Sequence, residues 1–409
     1  MTSPHHILIY AELLSNIRQI SIGCTLPTPS SSTTKAVVSP DCLGFTVKHD
    51  GAERSIPLPG RVAFPSQLPV QKTGLTNISW RLPLAGSRDR IQNASVSEEA
   101  GPWSAGDLAP ESAVCCRACK TPVVEAGVLK TWKDLPSENW AEMMEFWHCH
   151  KPHDHKHTDD EHLTSRGYGA SSKITAQSGV GFIDLTSFLL SPSDISDSAV
   201  TPSLNSDTVE GNQLTEQNPS NGLKSHNQVI FCSSCKSQLG MWNNQISSVS
   251  LFKWQVSVDR RHGEGSAVDP SLSHCISALL LATMARSGCS KSIIIPARSE
   301  DELVSNRPAS EKSLLNIWVF NGNITYSSTE EARSPINAVK VLYRMVSQDE
   351  ADKMLDAMTS DVQDISLPTK AIEMLIELLD KSNGNIPLGE RKFKDWGVGL
   401  LEKWNGGRR

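Results

Sequence analysis

Hydrophobic and polar positions follow a short period over the first 110 residues of the chain. Apolar runs at residues 20–22, 43–47 and 77–80 are separated by clusters of Pro, Gly and Ser, which is typical of β-strands joined by turns. The pattern therefore predicts a β-rich N-terminal region. Loops are predicted at residues 29–34 and 88–101.

The pattern changes in the C-terminal half, where apolar residues recur at helical spacing in three stretches. Helices are predicted at residues 271–286, 349–358 and 369–381, because residues three and four positions apart share one helix face. Alternating or short apolar runs also predict strands. These strands fall at residues 252–258, 292–295, 316–320 and 338–346. The C-terminal half is therefore predicted to be mixed α/β.

The middle of the chain combines a strand, a short helix and a polar insert. A strand is predicted at residues 123–132, and Ser137 is positioned to cap the helix that follows. Trp140, Met143, Met144 and Trp147 occupy one face of that helix, which on its own is typical of a core-facing surface. Residues 191–228 contain no aromatic residue and no cysteine, so this stretch is predicted to be a disordered insert.

Composition narrows the functional classes. Hydrophobic residues make up 38% of the 409-residue chain, enough for a packed core, and the net charge of -6 argues against a general nucleic-acid binder. The N-terminus lacks the features of a secretory signal, and no apolar run approaches the roughly 20 residues of a membrane span. We therefore expect a cytoplasmic or nuclear protein without a membrane partner, whose cysteines stay reduced.

Two Cys-x-x-Cys motifs carry the clearest chemistry. Cys116 with Cys119, and Cys232 with Cys235, each place two thiols on one side of a tight turn, which is half of a tetrahedral zinc site. Closing the long intervening loop costs about 4 kcal/mol, whereas structural zinc binding supplies roughly 10–16 kcal/mol. The four cysteines are therefore predicted to hold one structural zinc ion.

Three alternatives remain open for these motifs. In the first, the two pairs are unrelated and carry free thiols. In the second, one of the pairs is a redox Cys-x-x-Cys motif. Cys115 is a further alternative to Cys116 as the ligand, although the two-residue spacing favours Cys116.

A second candidate site is the segment Trp147-His148-Cys149-His150. Cys149 lies between two histidines, so it is a candidate nucleophile with a lowered pKa, a metal ligand, or a buried structural thiol. The histidines downstream, at residues 153–162, fit either a weak metal patch or a solvated loop.

The order of these motifs resembles the HECT-like ubiquitin ligases, a family also described as ubiquitin-conjugating-enzyme-binding proteins. The first cysteine pair is followed by Leu-Pro-Ser-Glu-Asn-Trp at residues 135–140, by Trp-His-Cys-His at 147–150, and by the second pair with Leu-Gly at 239–240. Residues 9–14 and 396–401 are similar as well, so the resemblance covers most of the chain outside the insert.

The resemblance implies a protein that binds a ubiquitin-conjugating enzyme, accepts ubiquitin and promotes its transfer to proteins. It also implies a link to messenger-RNA 3′-end processing, because relatives bind the metallo-β-lactamase-type endonuclease of the cleavage and polyadenylation machinery. In that role the segment would enter the nuclease active site, where Cys149 would meet its metal. The implied partner-binding residues are Trp140, Trp147, His148, Cys149 and His150.

The cysteines depart from the HECT pattern in one respect. HECT ligases carry the acceptor cysteine close to the C-terminus, whereas the last cysteine here is Cys289. If a ubiquitin thioester forms, Cys149 is the first candidate, ahead of Cys275 and Cys289. The sequence thus supports two principal hypotheses, a HECT-like ligase and a non-catalytic chaperone or inhibitor of the endonuclease. A zinc-stabilised scaffold is the third.

The predicted fold class is α+β, with a β-rich N-terminal half and a mixed α/β C-terminal half joined by the structural zinc site. The predicted regions are a β-rich region (1–110), the first zinc half-site with the Trp-rich helix (111–190), the insert (191–228), and the second zinc half-site with a HECT-like region (229–409).

Overall fold

The structure is a computed structural model that describes most of the chain. The described residues are 6–65, 67–69, 73–86, 101–135, 175–202, 227–244, 246–258, 268–297, 313–331, 334–357 and 361–406.

Strands dominate these residues, and three α-helices accompany them within the described ranges, which confirms the α+β class. The helices are α1 (Leu272–Ser287), α2 (Gln348–Leu355) and α3 (Thr369–Asn383). The strands are β1 (Leu8–Leu14), β2 (Gln19–Thr25), β3 (Lys35–Val38), β4 (Gly44–His49), β5 (Ala52–Pro57), β6 (Gln67–Leu68), β7 (Asn77–Pro83), β8 (Val114–Cys116), β9 (Pro122–Val124), β10 (Thr131–Asp134), β11 (Val180–Ile183), β12 (Ser187–Leu190), β13 (Val200–Pro202), β14 (Asn227–Cys232), β15 (Gln238–Asn243), β16 (Ser248–Phe252), β17 (Val256–Val258), β18 (Lys291–Pro296), β19 (Ser313–Ser328), β20 (Ile336–Ser347), β21 (Val362–Leu367), β22 (Lys392–Phe393) and β23 (Trp396–Glu402).

The chain forms two compact units, and these differ from the two predicted halves. The discontinuous unit contains residues 1–100, 272–297 and 307–405, and the central unit contains mainly residues 101–271. The N-terminal strands belong with the C-terminal ones because β1 pairs antiparallel with β19. Both cysteine pairs lie in the central unit. The predicted zinc link between an N-terminal and a C-terminal half is therefore not confirmed.

A nine-stranded sheet forms the frame of the discontinuous unit. Its main path runs β22-β23-β20-β19-β1-β2-β7, and β18 and β21 branch from β19. One face of β1, β2 and β7 packs against the four-stranded sheet β5-β4-β3-β6 to form an apolar core. In β7, buried Ile78, Trp80 and Leu82 alternate with exposed residues, as expected when a strand buries one face.

The three helices follow the predicted positions closely. The Leu375 and Leu379 side chains of α3 are fully buried, so the apolar face of this helix faces the core. Helix α2 begins with the N-cap residue Ser347, whose Oγ accepts a hydrogen bond from the backbone N–H of Glu350 at 3.2 Å. In the described part of the chain, none of the helices has the length and hydrophobicity needed to span a membrane.

Helix α3 packs on β23, where Gly399 makes the close approach of the helix feasible and Gly397 leaves room for the ring of Tyr343 on β20. A Cβ atom at Gly399 would lie 2.6 Å from Cδ2 of Leu379, and one at Gly397 would lie 2.9 Å from the Tyr343 ring. The end of α3 also satisfies polar groups of β23. Ser382 accepts a hydrogen bond from Leu400 N–H at 2.9 Å, and Asn383 donates to the carbonyl of Val398 at 2.7 Å. These side chains occupy edge positions that would otherwise invite another strand.

The central unit is built from a seven-stranded sheet, β10-β11-β12-β16-β15-β14-β13, and a three-stranded sheet, β17-β8-β9. Phe188 is fully buried and packs against the rings of Trp103 and Trp132, with centroid distances of 5.8 and 5.0 Å. The ammonium group of Lys253 is also buried here. It donates to the carbonyl oxygens of Pro102 and Trp103 at 2.5 and 3.2 Å, which offsets the cost of burying its charge.

Two predicted strands of the central unit are each broken by a turn. The stretch 123–132 forms β9 and β10 with a turn between them, in which Gly127 has a φ of 82°. The stretch 252–258 is divided between β16 and β17. Trp254 lies in the turn and stacks on Phe252 at 4.8 Å, so the alternating pattern continues through a segment that is not a strand.

The predicted disordered insert begins too early. Residues 191–202 contain a short 3-10 helix and β13. This stretch has no aromatic residues, and hydrogen bonds fix it instead. The buried carboxylate of Asp194 accepts hydrogen bonds from the Ser178 hydroxyl and the Gly179 N–H at 2.8 and 2.9 Å.

Three predictions fall on residues outside the described ranges. They are the insert from 203 to 226, the Trp-rich helix with the segment 147–150, and the loop from 88 to 100.

Candidate metal centre

The first cysteine pair forms a tight knuckle at the end of β8. Cys116 is the last residue of the strand, and Lys120 turns the chain back with a φ of 63°. The N–H of Lys120 donates to the carbonyl of Cys116 at 2.8 Å, and the N–H of Cys116 donates to the carbonyl of Thr121 at 2.8 Å. These bonds place the thiols of Cys116 and Cys119 on the same side of the turn.

The second pair repeats this geometry at the end of β14. Lys236 has a φ of 60°, and its N–H donates to the carbonyl of Cys232 at 2.9 Å. The N–H of Cys232 donates to the carbonyl of Ser237 at 2.9 Å. The local sequences, Cys-Arg-Ala-Cys-Lys-Thr and Cys-Ser-Ser-Cys-Lys-Ser, share this pattern of cysteine, lysine and hydroxyl residue.

The two knuckles bring four sulfur atoms together. All four Sγ atoms lie within 4.8 Å of one another, with 3.6 Å between Cys116 and Cys235 and 3.5 Å between Cys119 and Cys232. These separations exceed the length of a disulfide bond. A tetrahedral zinc ion with Zn–S bonds of about 2.3 Å places its sulfurs about 3.8 Å apart. The cluster therefore has the size of a four-cysteine metal site.

Hydrogen bonds from Arg117 help to fix the first knuckle. Its guanidinium donates to the carbonyl oxygens of Trp254 and Asp269 at 3.3 Å each, and also to that of Pro270. Strand β8 also pairs with β17, where Val256 is the partner of Cys116. The strand pairing and the Arg117 hydrogen bonds therefore both fix the position of Cys116.

A direct contact also links the two knuckles. The hydroxyl oxygens of Thr121 and Ser234 lie 3.1 Å apart, within hydrogen-bonding distance. The four ligands are therefore arranged by protein contacts as well as by any bound ion.

The cysteines differ in exposure within each pair. Cys116 and Cys232 are buried, whereas Cys119 and Cys235 are exposed. The hydroxyl and N–H of Thr121 lower the pKa of Cys119 to about 6, and Ser237 lowers the pKa of Cys235 in the same way. Burial raises the pKa of Cys116 to about 12. Metal binding requires thiolates, so the hydroxyl residues after each pair favour the ligand form of the exposed cysteines.

The arrangement bears on the alternatives left open by the sequence. The two pairs are neighbours in space, and the cluster contains Cys116 and not Cys115. Neither knuckle is followed by a helix in the described residues, unlike the strand-to-helix setting of redox motifs. Four sulfurs without an open coordination position are typical of a structural zinc site and not of a catalytic one.

The other predicted site residues have separate outcomes. Trp140, Trp147, His148, Cys149 and His150 lie outside the described residues. Cys275 is fully buried in α1, in agreement with a core role. Cys289 is partly buried, with its thiol 3.7 Å from the carbonyl oxygen of Ser287 and 3.8 Å from Nε2 of Gln363.

Sequence reasoning missed several residues that build the cluster. Lys120 and Lys236 supply the left-handed turns, and the repeated Cys-x-x-Cys-Lys-Thr/Ser pattern was the available signal. The sequence alone also gave no reason for the glycine at position 240, which follows the second cysteine pair. An added Cβ there would collide with the backbone carbonyl oxygen of Ser250 on the neighbouring strand.

The chain matches the model of the HECT-like ubiquitin-conjugating enzyme (E2)-binding family over residues 12–398, and it belongs to that family. It is 27% identical over 317 residues to the Schizosaccharomyces pombe protein "Uncharacterized protein C1734.10c", covering 74% of this chain and 78% of the relative. It is 21% identical over 328 residues to the Saccharomyces cerevisiae protein "Uncharacterized protein YJR141W", covering 79% of each chain. No solved structure matches the chain at a significant level.

Proposed function

We propose that this protein is a HECT-like ubiquitin-protein ligase that binds a ubiquitin-conjugating enzyme and promotes the transfer of ubiquitin to proteins. The observation that supports the proposal is the family match, which extends over residues 12–398 and whose description names conjugating-enzyme binding. The cysteine cluster supports a structural zinc ion, which would fasten the central unit without taking part in ubiquitin transfer.

The proposed transfer step uses Cys149 as the acceptor. Its thiolate attacks the thioester carbonyl that joins ubiquitin to the conjugating enzyme, so a new thioester forms as the old one breaks. The leaving cysteine of the conjugating enzyme takes up a proton. A lysine amine of the target protein then displaces Cys149 from ubiquitin.

The test mixes the full chain with a conjugating enzyme charged with ubiquitin. We expect a ubiquitin adduct that thiol reductants remove, and we expect Cys149→Ser to abolish it. Cys289→Ser is the matched control and should leave the adduct intact. An adduct that persists in Cys149→Ser would exclude that cysteine as the acceptor, and loss in Cys289→Ser alone would assign the role to Cys289.

One observation favours a second candidate function, a non-catalytic partner of the cleavage and polyadenylation endonuclease. Among the cysteines in the described residues, only Cys119 and Cys235 are exposed, and both belong to the metal cluster. Cys42, Cys115 and Cys289 are only partly exposed, so no fully exposed acceptor thiol is present among the described cysteines outside the cluster. This candidate would use Trp147 and Cys149 to contact the nuclease active site.

The two candidates are separated by a pull-down from native extract. A ligase should recover a conjugating enzyme, whereas the second function should recover the endonuclease and lose it on Trp147→Ala. Endonuclease binding that is unchanged in both Trp147→Ala and Cys149→Ser would contradict the second candidate.

A further inference from the structure

Four aromatic side chains form a row across the nine-stranded sheet. Phe393 lies on β22, Trp396 on β23, and Trp318 and Phe320 on β19. The Trp318 ring lies 6.1 Å from that of Trp396 and 6.2 Å from that of Phe320, measured between centroids. Phe393 is the cross-strand partner of Trp396. We call these four residues the aromatic stripe.

The aromatic stripe is only partly covered: Phe320 and Phe393 are exposed, whereas Trp318 and Trp396 are partly buried and pack against a core cluster. Along β19, Leu314 packs into a core cluster with residues of α2, and Ile324 belongs to a second buried cluster. Between them, Phe320 is 56% exposed, and Phe393 is 45% exposed on its own strand. Large exposed rings grouped in this way are typical of a binding surface, whereas isolated exposed apolar residues are not.

Cations hold the rings of the stripe in place. Lys291 Nζ lies 5.6 Å from the Trp318 ring centroid, and the Arg344 guanidinium carbon lies 4.9 Å from that of Trp396. Lys291 also bonds to Asp361 at 2.6 Å, and Arg344 bonds to Glu350 at 2.7 Å. Because these side chains are already fixed, this surface loses little conformational entropy when a partner binds.

The composition of this surface indicates the kind of partner it fits. Its centre is aromatic and its rim carries paired charges, which is the arrangement of a protein–protein interface. Trp and Arg are among the residues most enriched in interface hot spots. Side chains that are about half exposed on an open sheet do not form the enclosed cavity that a small ligand requires.

We propose that the aromatic stripe is the surface on which this protein docks the ubiquitin-conjugating enzyme, and this inference rests on the proposed function. The family match includes all four residues of the stripe and names that enzyme as the partner. An apolar side chain of the enzyme would pack against Trp318 and Phe320. The charged rim, with Arg344 and Lys291, would meet polar groups around it.

The experiment measures the affinity of the full chain for a panel of purified conjugating enzymes, with and without bound ubiquitin, by biolayer interferometry. The test variants are Phe320→Ser and Phe393→Ser, which change exposed side chains and should leave the fold intact. Phe64→Ser is the matched control, because Phe64 is 72% exposed in the same unit but outside the stripe. Thermal denaturation of each variant checks folding.

We expect the wild-type chain to bind at least one enzyme, and each stripe variant to weaken that binding by about tenfold or more, as hot-spot residues do. Phe320→Tyr, which keeps the ring, should retain most of the affinity. Binding within twofold of wild type in both Ser variants would overturn the inference and leave the proposed function standing. Equal loss in Phe64→Ser would also overturn it. If no enzyme binds the wild-type chain, the proposed function fails together with the inference.

Discussion

The two units differ in what holds their strands together. The discontinuous unit has long strands, such as the 16-residue β19, and all three described α-helices. In the described residues of the central unit, strands are three to six residues long and a short 3-10 helix is the only helix. The central unit also contains the cysteine cluster.

This difference gives a physical reason for a cysteine cluster of metal-site size in the central unit. Short strands bury little apolar surface, and small sheets without helical cover are only marginally stable. The central unit adds the buried Lys253 and Asp194, each of which is fixed by hydrogen bonds to backbone groups. A cation held by four thiolates would supply the remaining stabilisation, because structural metal binding is coupled to folding.

The largest expected effect comes from breaking the cluster. Cys116→Ser or Cys232→Ser removes a buried ligand, and we expect loss of one zinc ion per chain together with unfolding of the central unit. The binding free energy at stake is about 10–16 kcal/mol. Elemental analysis and differential scanning calorimetry measure both effects. Cys289→Ser, in the discontinuous unit, should keep the zinc content and the unfolding transition of each unit unchanged. Full zinc content in the two ligand variants would contradict the assignment.

A smaller effect is expected at Gly240, beside the second knuckle. An added methyl group would collide with the Ser250 carbonyl oxygen, so β15 and β16 would have to separate. Gly240→Ala should destabilise the central unit by about 1–3 kcal/mol, the usual range for overpacking. The control is Gly106→Ala in the same unit, where the nearest atom is 3.7 Å away. Urea unfolding measures the stability of both variants. A Gly240→Ala variant as stable as Gly106→Ala would contradict the expected steric clash between β15 and β16.

The smallest effect concerns alkaline pH and the discontinuous unit. Burial raises the pKa of Tyr10, Tyr326 and Tyr343 above the usual tyrosine value, and Asp380 raises the pKa of Tyr343 further. A tyrosine with a raised pKa in the folded state stabilises below the unfolded pKa, and that contribution is lost as pH rises past about 10. The discontinuous unit should therefore weaken first between pH 10 and 12.

The variant Tyr343→Phe sharpens this comparison. It removes the 2.7 Å hydrogen bond to Asp380, so we expect the variant to be about 1 kcal/mol less stable to unfolding than the wild-type chain at pH 8. Between pH 8 and pH 11 the stability of the variant should fall by less than that of the wild-type chain, because the tyrosine hydroxyl with the raised pKa is absent. Urea unfolding at the two pH values, with phenolate absorbance, is the measurement. A pH dependence equal to that of the wild-type chain would contradict the role assigned to this hydroxyl.

Local patterns in the sequence were sufficient to predict the three described α-helices and the four cysteines that come together in the cluster. Helical spacing located α1 and α3 because tertiary packing uses the same apolar faces. The pairing of β1 with β19 was not predictable, since the hydrogen bonds join residues about 320 positions apart and leave no local pattern. The break at Gly127 had a signal, but the apolar residues around it favoured one continuous strand. The aromatic stripe was missed because its members come from two distant sequence segments, residues 318–320 and 393–396.

The wide separation of the cysteine pairs also sets an order for folding during synthesis. Most of the central unit is one uninterrupted stretch, residues 101–271, so it is complete while later residues are still being translated. A metal ion could not be bound by all four cysteines of the cluster until Cys235 has left the ribosome. Strand β1, although made first, has to wait for β19. One edge of β1 therefore stays unpaired for most of translation, although β2 can pair with its other edge, and this is the interval when chaperone protection matters most.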